Sequence, residues 1–213
     1  MLIFTKNEVR DLIIAFIVLS IAFAISNVML DVHGFISILP IVMVGVATGS
    51  ISHELGQKYV AMKYGYDAEF KAWPIGLLIA LVTAFIGIVF AFPGEIRTNA
   101  KNISDEINGK ISIAGPMANI ALALIFITVA ALIYPLKSYS NIFTLIYLIC
   151  TVGFSVNTFL ATFNLLPLYS LDGTKVFKWN ISYWIIIFAI AAIMLLTSIG
   201  IGAENMVKII IGI

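Results

Sequence analysis

One helix-patterned apolar stretch, Gly49 to Tyr64 (GSISHELGQKYVAMKY), holds the side chains best suited to chemistry, His53 and Glu54. An ionisable pair inside a segment about the length of a membrane span marks a functional site, because charge at that depth is costly to keep. On a helix, positions 53 and 57 lie one turn apart on one face. An HExxH pattern therefore offers two imidazoles to one zinc ion and sets its glutamate beside the metal-bound water. Position 57 here is Gln, not His. Read alone, the pair also fits an interfacial His-Glu dipeptide beside Lys58.

Two more stretches bear on that choice. Asn164 to Gly173 (NLLPLYSLDG) ends an apolar run with Pro167 and then carries Asp172-Gly173. By itself it is an ordinary helix stop and turn. A carboxylate at the depth of His53 is also what a His/Asp zinc site requires. Gly115 to Asn119 (GPMAN) opens another apolar run. Small residues there allow close helix approach and Asn119 can hydrogen-bond across helices, although read alone GPMAN is a helix N-terminus.

The three motifs, in this order and on three spans, resemble the site-2 protease family of intramembrane zinc metalloproteases (M50), which carries HExxH, then GPxxN, then NxxPxxxxDG. This chain matches at His53 and Glu54, at Gly115, Pro116 and Asn119, and at Asn164, Pro167, Asp172 and Gly173. The resemblance covers roughly Gly45 to Lys175. It implies a zinc ion ligated by His53 and Asp172, with Gln57 at the place of the second histidine ligand. It further implies Glu54 as the catalytic acid-base group, Asn119 and Asn164 as substrate-orienting residues that hold substrate backbone or active-site groups, and a transmembrane protein as substrate in regulated intramembrane proteolysis.

Gln57 is the departure. A neutral amide oxygen is a poorer zinc ligand than imidazole, so zinc should bind weakly or not at all. The other histidine, His33, stands twenty residues before His53, ~30 Å along a helix. Cys150 lies too far from Asn164 along its span to help. The expected function is an intramembrane metalloendopeptidase impaired at position 57. One alternative is a pseudoprotease that grips membrane helices without cutting them. Another is a small cation-coupled transporter using Glu54 and Asp172, disfavoured because no inverted repeat is visible.

The elements that must position these residues are read from composition. Hydrophobic residues make up 62% of the chain, charged residues 11%, and the mean hydropathy is +1.10. Such values describe an all-α polytopic membrane protein. The net charge of +1 gives no reason to expect nucleic acid, and a single cysteine excludes an internal disulfide. Five apolar runs are expected to span: Leu12 to Leu30, Phe35 to about Met62, Ile111 to Leu136, Ile142 to Leu166, and Ile181 to Ile201. The second, third and fourth form a three-helix core in one membrane-embedded domain, 1–213, with its core at about 35–175. The first run has no small-residue cleavage pattern after it and is read as a retained span, with no appended soluble module.

The run Trp73 to Phe92 is either a sixth span or a re-entrant segment. Pro74, Gly76, Gly87 and Pro93-Gly94 interrupt it, and the six basic residues between Lys58 and Lys110 belong on one side. The re-entrant reading is preferred, with a short β-hairpin near 87–97 whose edge could receive an unwound substrate. Those basic residues, with Lys6 and Arg10, put the site near the cytoplasmic face of what reads as a prokaryotic cell membrane. Trp73, Tyr134, Trp179, Tyr183 and Trp184 are read as interfacial anchors, and the sequons at Asn102 and Asn180 as chance. The last eleven residues are too short to span and are expected along the membrane surface.

Overall fold

Capping and length decide where the helices begin and how far they reach. In the computed structural model, which describes residues 4–29, 31–99, 103–168 and 171–213, Thr5 caps α1 (Lys6–Val28) by accepting from the Glu8 N–H. Asp31 does the same for α2 (Val32–Lys63) through the His33 N–H. Strand β1 (Ala68–Ala72) leads to α3 (Pro74–Ala84), with proline at its first position, and β2 (Gly94–Thr98) follows. Then come α4 (Asp105–Ile133), a 3₁₀ turn at Tyr134–Leu136, α5 (Asn141–Asn164), α6 (Asp172–Trp179), α7 (Ile181–Gly200) and α8 (Ala203–Ile211).

Among the described residues, five helices are long and apolar enough to cross a membrane: α1, α2, α4 with its 3₁₀ extension, α5 and α7. The molecule is an all-α polytopic membrane protein with a small two-stranded sheet. Helices α2, α4 and α5 pack on one another, as expected of the core. The side chains between α1, α2, α3 and α5 form an apolar cluster that includes Leu19, Phe23, Val46, Leu160 and Phe163. The terminal helix α8 is short, with Val207 buried against α4 and α5.

Helix α3 settles the course of the 73–92 run. Its 11 residues rise only about 16 Å, half of a ~30 Å hydrocarbon core. Gly87, at φ +81°, turns the chain back. Strands β1 and β2 then pair antiparallel, Ala68 with Thr98 through Ala72 with Gly94, so both ends of the excursion meet at one level. The segment is re-entrant. The strand pair differs from the expected hairpin near 87–97: its first strand is 68–72, and residues 88–92 belong to no ladder, with the Phe92 N–H turned back onto Phe90 O. Pairing across an intervening helix leaves no local turn signal to read.

A second correction concerns GPMAN, which does not open a helix. Ser104 caps α4 by accepting from the Ile107 N–H, and Pro116 lies inside the helix. The polar first turns, Asp105 to Lys110, precede the apolar run and hide the true start from a hydropathy reading. Asn180 of the second sequon caps α7, accepting from Ser182 and Tyr183 N–H groups. Asn102 of the first sequon, and Tyr169-Ser170 of the third motif, lie outside the described residues.

The sheet has one closed edge and one open edge. The Asn99 N–H donates to Asp67 O and the Trp73 N–H to Pro93 O, so the odd-numbered positions carry the ladder bonds. On the far side of β1, the Phe70 N–H donates to Glu8 Oε1 (3.2 Å) and the Ala72 N–H to Asp11 Oδ2 (3.1 Å). Two carboxylates of α1 thus close that edge. On β2, the outward N–H groups of Gly94, Ile96 and Thr98 have no partner among the described residues.

Glu8 also holds the buried Lys58 ammonium at 2.5 and 2.7 Å, with side-chain exposures of 1% and 4%. Lys58 therefore pairs with α1 rather than with His53 and Glu54. Replacing Lys58 by Met should destabilise the fold by about 3–5 kcal/mol, because it leaves a buried carboxylate without its counter-charge. Glu8→Gln in the same chain should recover most of that loss, as thermal unfolding in detergent would show. An unchanged melting temperature for Lys58→Met would contradict the pairing.

Candidate metal centre and cleft

Close helix approach creates the site. A side chain at Gly49 would meet Asn157 Oδ1 at 2.8 Å and Leu160 at 3.0 Å, and one at Gly56 would meet the Ala114 carbonyl at 3.1 Å. These glycines let α2 lie against α5 and α4. Gly115 has a sharper role: any Cβ there would collide with the His53 imidazole. The glycine of GPMAN is the cradle in which that ring sits.

His53 is 6% exposed and held from both sides. Its Nδ1 lies 2.7 Å from Asn119 Oδ1. The Asn119 Nδ2 is committed to two acceptors, Gly49 O and Asn157 Oδ1, each at 3.0 Å. Asn119 therefore presents its oxygen, and His53 Nδ1 carries the proton and donates. The other ring nitrogen, Nε2, is hydrogen-bonded to Asp172 Oδ2 at 3.0 Å, and it is the nitrogen whose lone pair a cation would take in place of a proton. Two ligand atoms on a tetrahedral zinc, each about 2.0–2.1 Å from the metal, stand about 3.3–3.4 Å apart. His53 and Asp172 thus fit a zinc ion with a small opening, and the Asn119 contact is the outer-shell hydrogen bond that such a histidine needs.

Asp172 opens α6, and its neighbour Gly173 lies so close to Leu165 O that no side chain could replace its hydrogen. Lys175 Nζ is 3.8 Å from Asp172 Oδ1. Gln57 turns its amide nitrogen toward the pair, 2.7 Å from Asp172 Oδ2 and 3.1 Å from His53 Nε2. Among the described residues no three His, Cys, Asp or Glu side chains converge. Two strong donors are present, not three.

Glu54 is buried, and its Oε2 has no hydrogen-bond partner. It faces a cavity of about 300 Å³ shared with His53, Gln57, Asp172, Asn164 and β2. A carboxylate that lines a cleft and is tied up by no hydrogen bond at Oε2 is suited to take a proton from a molecule within the cleft.

The expected site residues divide accordingly. His53, Glu54, Gln57 and Asp172 come together. Asn119 reaches His53, whereas Asn164 donates to Leu160 O of its own helix (2.8 Å) and also lines the cavity. His33 is exposed near the start of α2, and Cys150 is buried in an apolar cluster. Two contributors escaped the sequence reading. Asn157 links Asn119 to Gly45 O and Gly153 O, and Ser112 offers its carbonyl to Gln57 at 3.3 Å. Asn157 stands two turns before Asn164 on the same helix, a spacing that could have flagged it. The signal for Ser112 was Pro116, four residues on.

No family model matches the chain, and no solved structure matches it. Two curated proteins do, and both bear the name "Putative zinc metalloprotease". MJ0611 of Methanocaldococcus jannaschii is 38% identical over 185 residues, 86% of this chain and 90% of the relative. YwhC of Bacillus subtilis is 29% identical over 157 residues, 67% of this chain and 70% of the relative.

Proposed function

We propose, because this chain belongs to the zinc metalloprotease family of these two relatives, that it is an intramembrane endopeptidase of the site-2 type, cutting transmembrane segments of other membrane proteins. The observation that carries this reading is the meeting of His53, Asp172 and the unpartnered Glu54 on one cleft, inside a membrane-length helix. His53 lies ten residues before the end of α2 at Lys63, about 15 Å along the axis. On this reading a peptide bond reaches it by entering the bilayer from that end of α2.

His53 and Asp172 would hold zinc, with Gln57 at the position of the second histidine. When bound, the ion supplies Lewis-acid polarisation of the scissile carbonyl and acidifies the attacking water. Glu54 takes the proton that water loses as its oxygen adds to the carbonyl carbon. It gives that proton to the amide nitrogen as the C–N bond breaks, leaving a carboxyl terminus and a free amine. Asn119 positions His53, and Asn164 on the cavity wall orients substrate backbone.

Substrate must be extended to be cut, since a helix shields its peptide bonds, and an open strand edge supplies the pairing groups. Edge β2 is suited to receive it, because Gly94, Glu95 and Arg97 line the cavity and the outward N–H groups of Gly94, Ile96 and Thr98 have no partner among the described residues, while β1 is closed by Glu8 and Asp11. Of the described Lys and Arg residues, only Lys137 and Lys208 fall on the membrane side opposite the site. That asymmetry favours a cytoplasmic cleft. An archaeal and a bacterial relative suit a prokaryotic cell membrane.

Proteoliposomes containing the Gln57→His variant, zinc and a single-span model substrate test this reading. Ile96→Pro removes one outward N–H without touching the ladder to β1. It should raise KM by about 5–10-fold, the worth of one hydrogen bond, with little change in kcat. Unchanged kinetics would remove β2 from substrate binding.

A further inference from the structure

The feature that the proposed chemistry leaves unused is the direction in which Gln57 points. Pro116 has no N–H, so the Ser112 carbonyl, four residues earlier in α4, is left without its helical donor. Gln57 Nε2 fills that role at 3.3 Å, and the same nitrogen lies 2.7 Å from Asp172 Oδ2 and 3.1 Å from His53 Nε2. Ser112 O and Asp172 Oδ2 are acceptors that cannot donate, and His53 Nε2 makes its own hydrogen bond to Asp172 Oδ2. The side-chain amide therefore has one satisfactory orientation, with one hydrogen on Ser112 O and the other on Asp172 Oδ2. Inverting it to aim Oε1 at the pair would bring two carbonyl oxygens together at Ser112 and leave a buried acceptor unpaired.

We propose that Gln57 is not a metal ligand but a hydrogen-bond bridge, which ties α2 to α4 and α6 and keeps His53 and Asp172 together whether or not a cation is present. An amide nitrogen has no lone pair to offer zinc. The same bridge makes assembly of the cleft independent of metal, so the fold should be indifferent to zinc. The zinc arm of this inference rests on His53 and Asp172 being ligands, as proposed above; the bridging arm does not.

Thermal unfolding of the full chain in detergent, with excess zinc or excess chelator, tests both arms beside two variants. The chain itself should melt at nearly the same temperature in either condition, because zinc held by two protein ligands adds little to a cleft already bridged. Gln57→Leu, with no donor, should melt lower in both, because Ser112 O and Asp172 lose their partner. Gln57→Glu can accept but not donate. It should melt lower in chelator, recover in zinc, and retain one zinc per chain by elemental analysis. The bridge is overturned if zinc raises the melting temperature of the unaltered chain as much as that of Gln57→Glu, or if Gln57→Leu melts unchanged. Should Gln57→Leu fail to fold, the Gln57→Glu comparison decides. A Gln57→Glu protein that binds no zinc, beside a destabilised Gln57→Leu, would uphold the bridge and overturn the metal site.

Discussion

Replacing Gln57 with histidine should convert this chain into a stoichiometric zinc protein, and it is the substitution with the largest expected gain. Position 57 lies one turn after His53 on the same face of α2, and its present side chain already reaches both His53 and Asp172. An imidazole there would complete three protein ligands, the number that catalytic zinc sites use. Its second nitrogen would find the Ser112 carbonyl, which Pro116 leaves free, as an outer-shell acceptor. The gain in zinc affinity should exceed the about 10–100-fold that outer-shell partners alone contribute, because a ligand is added. Zinc titration of the two proteins measures it, and equal affinities would contradict the ligand assignment.

Glu54→Gln in that zinc-binding background should lower the rate of peptide hydrolysis by about 10²–10⁴-fold. The amide has the same shape and cannot take up the proton that the attacking water must lose. Zinc content should not change, since Glu54 is not a ligand. Melting temperature should hold or rise, because the buried Oε2 makes no hydrogen bond that the substitution could break. A structural glutamate would behave in the opposite way, losing stability along with activity. Single-turnover cleavage and thermal unfolding of the same preparation separate the two.

Much of this architecture is written in the chain, for reasons that can be named. Hydropathy marks the spans because a bilayer enforces long apolar helices, and His53-Glu54 stands out because charge is scarce there. The re-entrant course of Pro74 to Phe92 was legible in its prolines and glycines. The strand partner of Gly94–Thr98 was not: it is Ala68–Ala72, across α3, and no local signal encodes a pairing over that distance. The start of α4 was legible in Ser104-Asp105-Glu106 but hidden by reading hydropathy alone. Asn119 was expected to orient substrate backbone or active-site groups, and the fold turns it to one of the latter, His53. Asn157 completes a network of partners on three helices, which only their packing brings together.

The cleavage position in a single-span substrate is the most direct measurement of the central claim. It would be read by mass spectrometry after incubation with the Gln57→His protein and zinc in proteoliposomes, with chelator and Glu54→Gln as controls. The account predicts one dominant cut inside the apolar segment, toward its cytoplasmic end, abolished by either control. A protein that carries its zinc and leaves the segment whole, or that cuts only in the aqueous flanks, would contradict it.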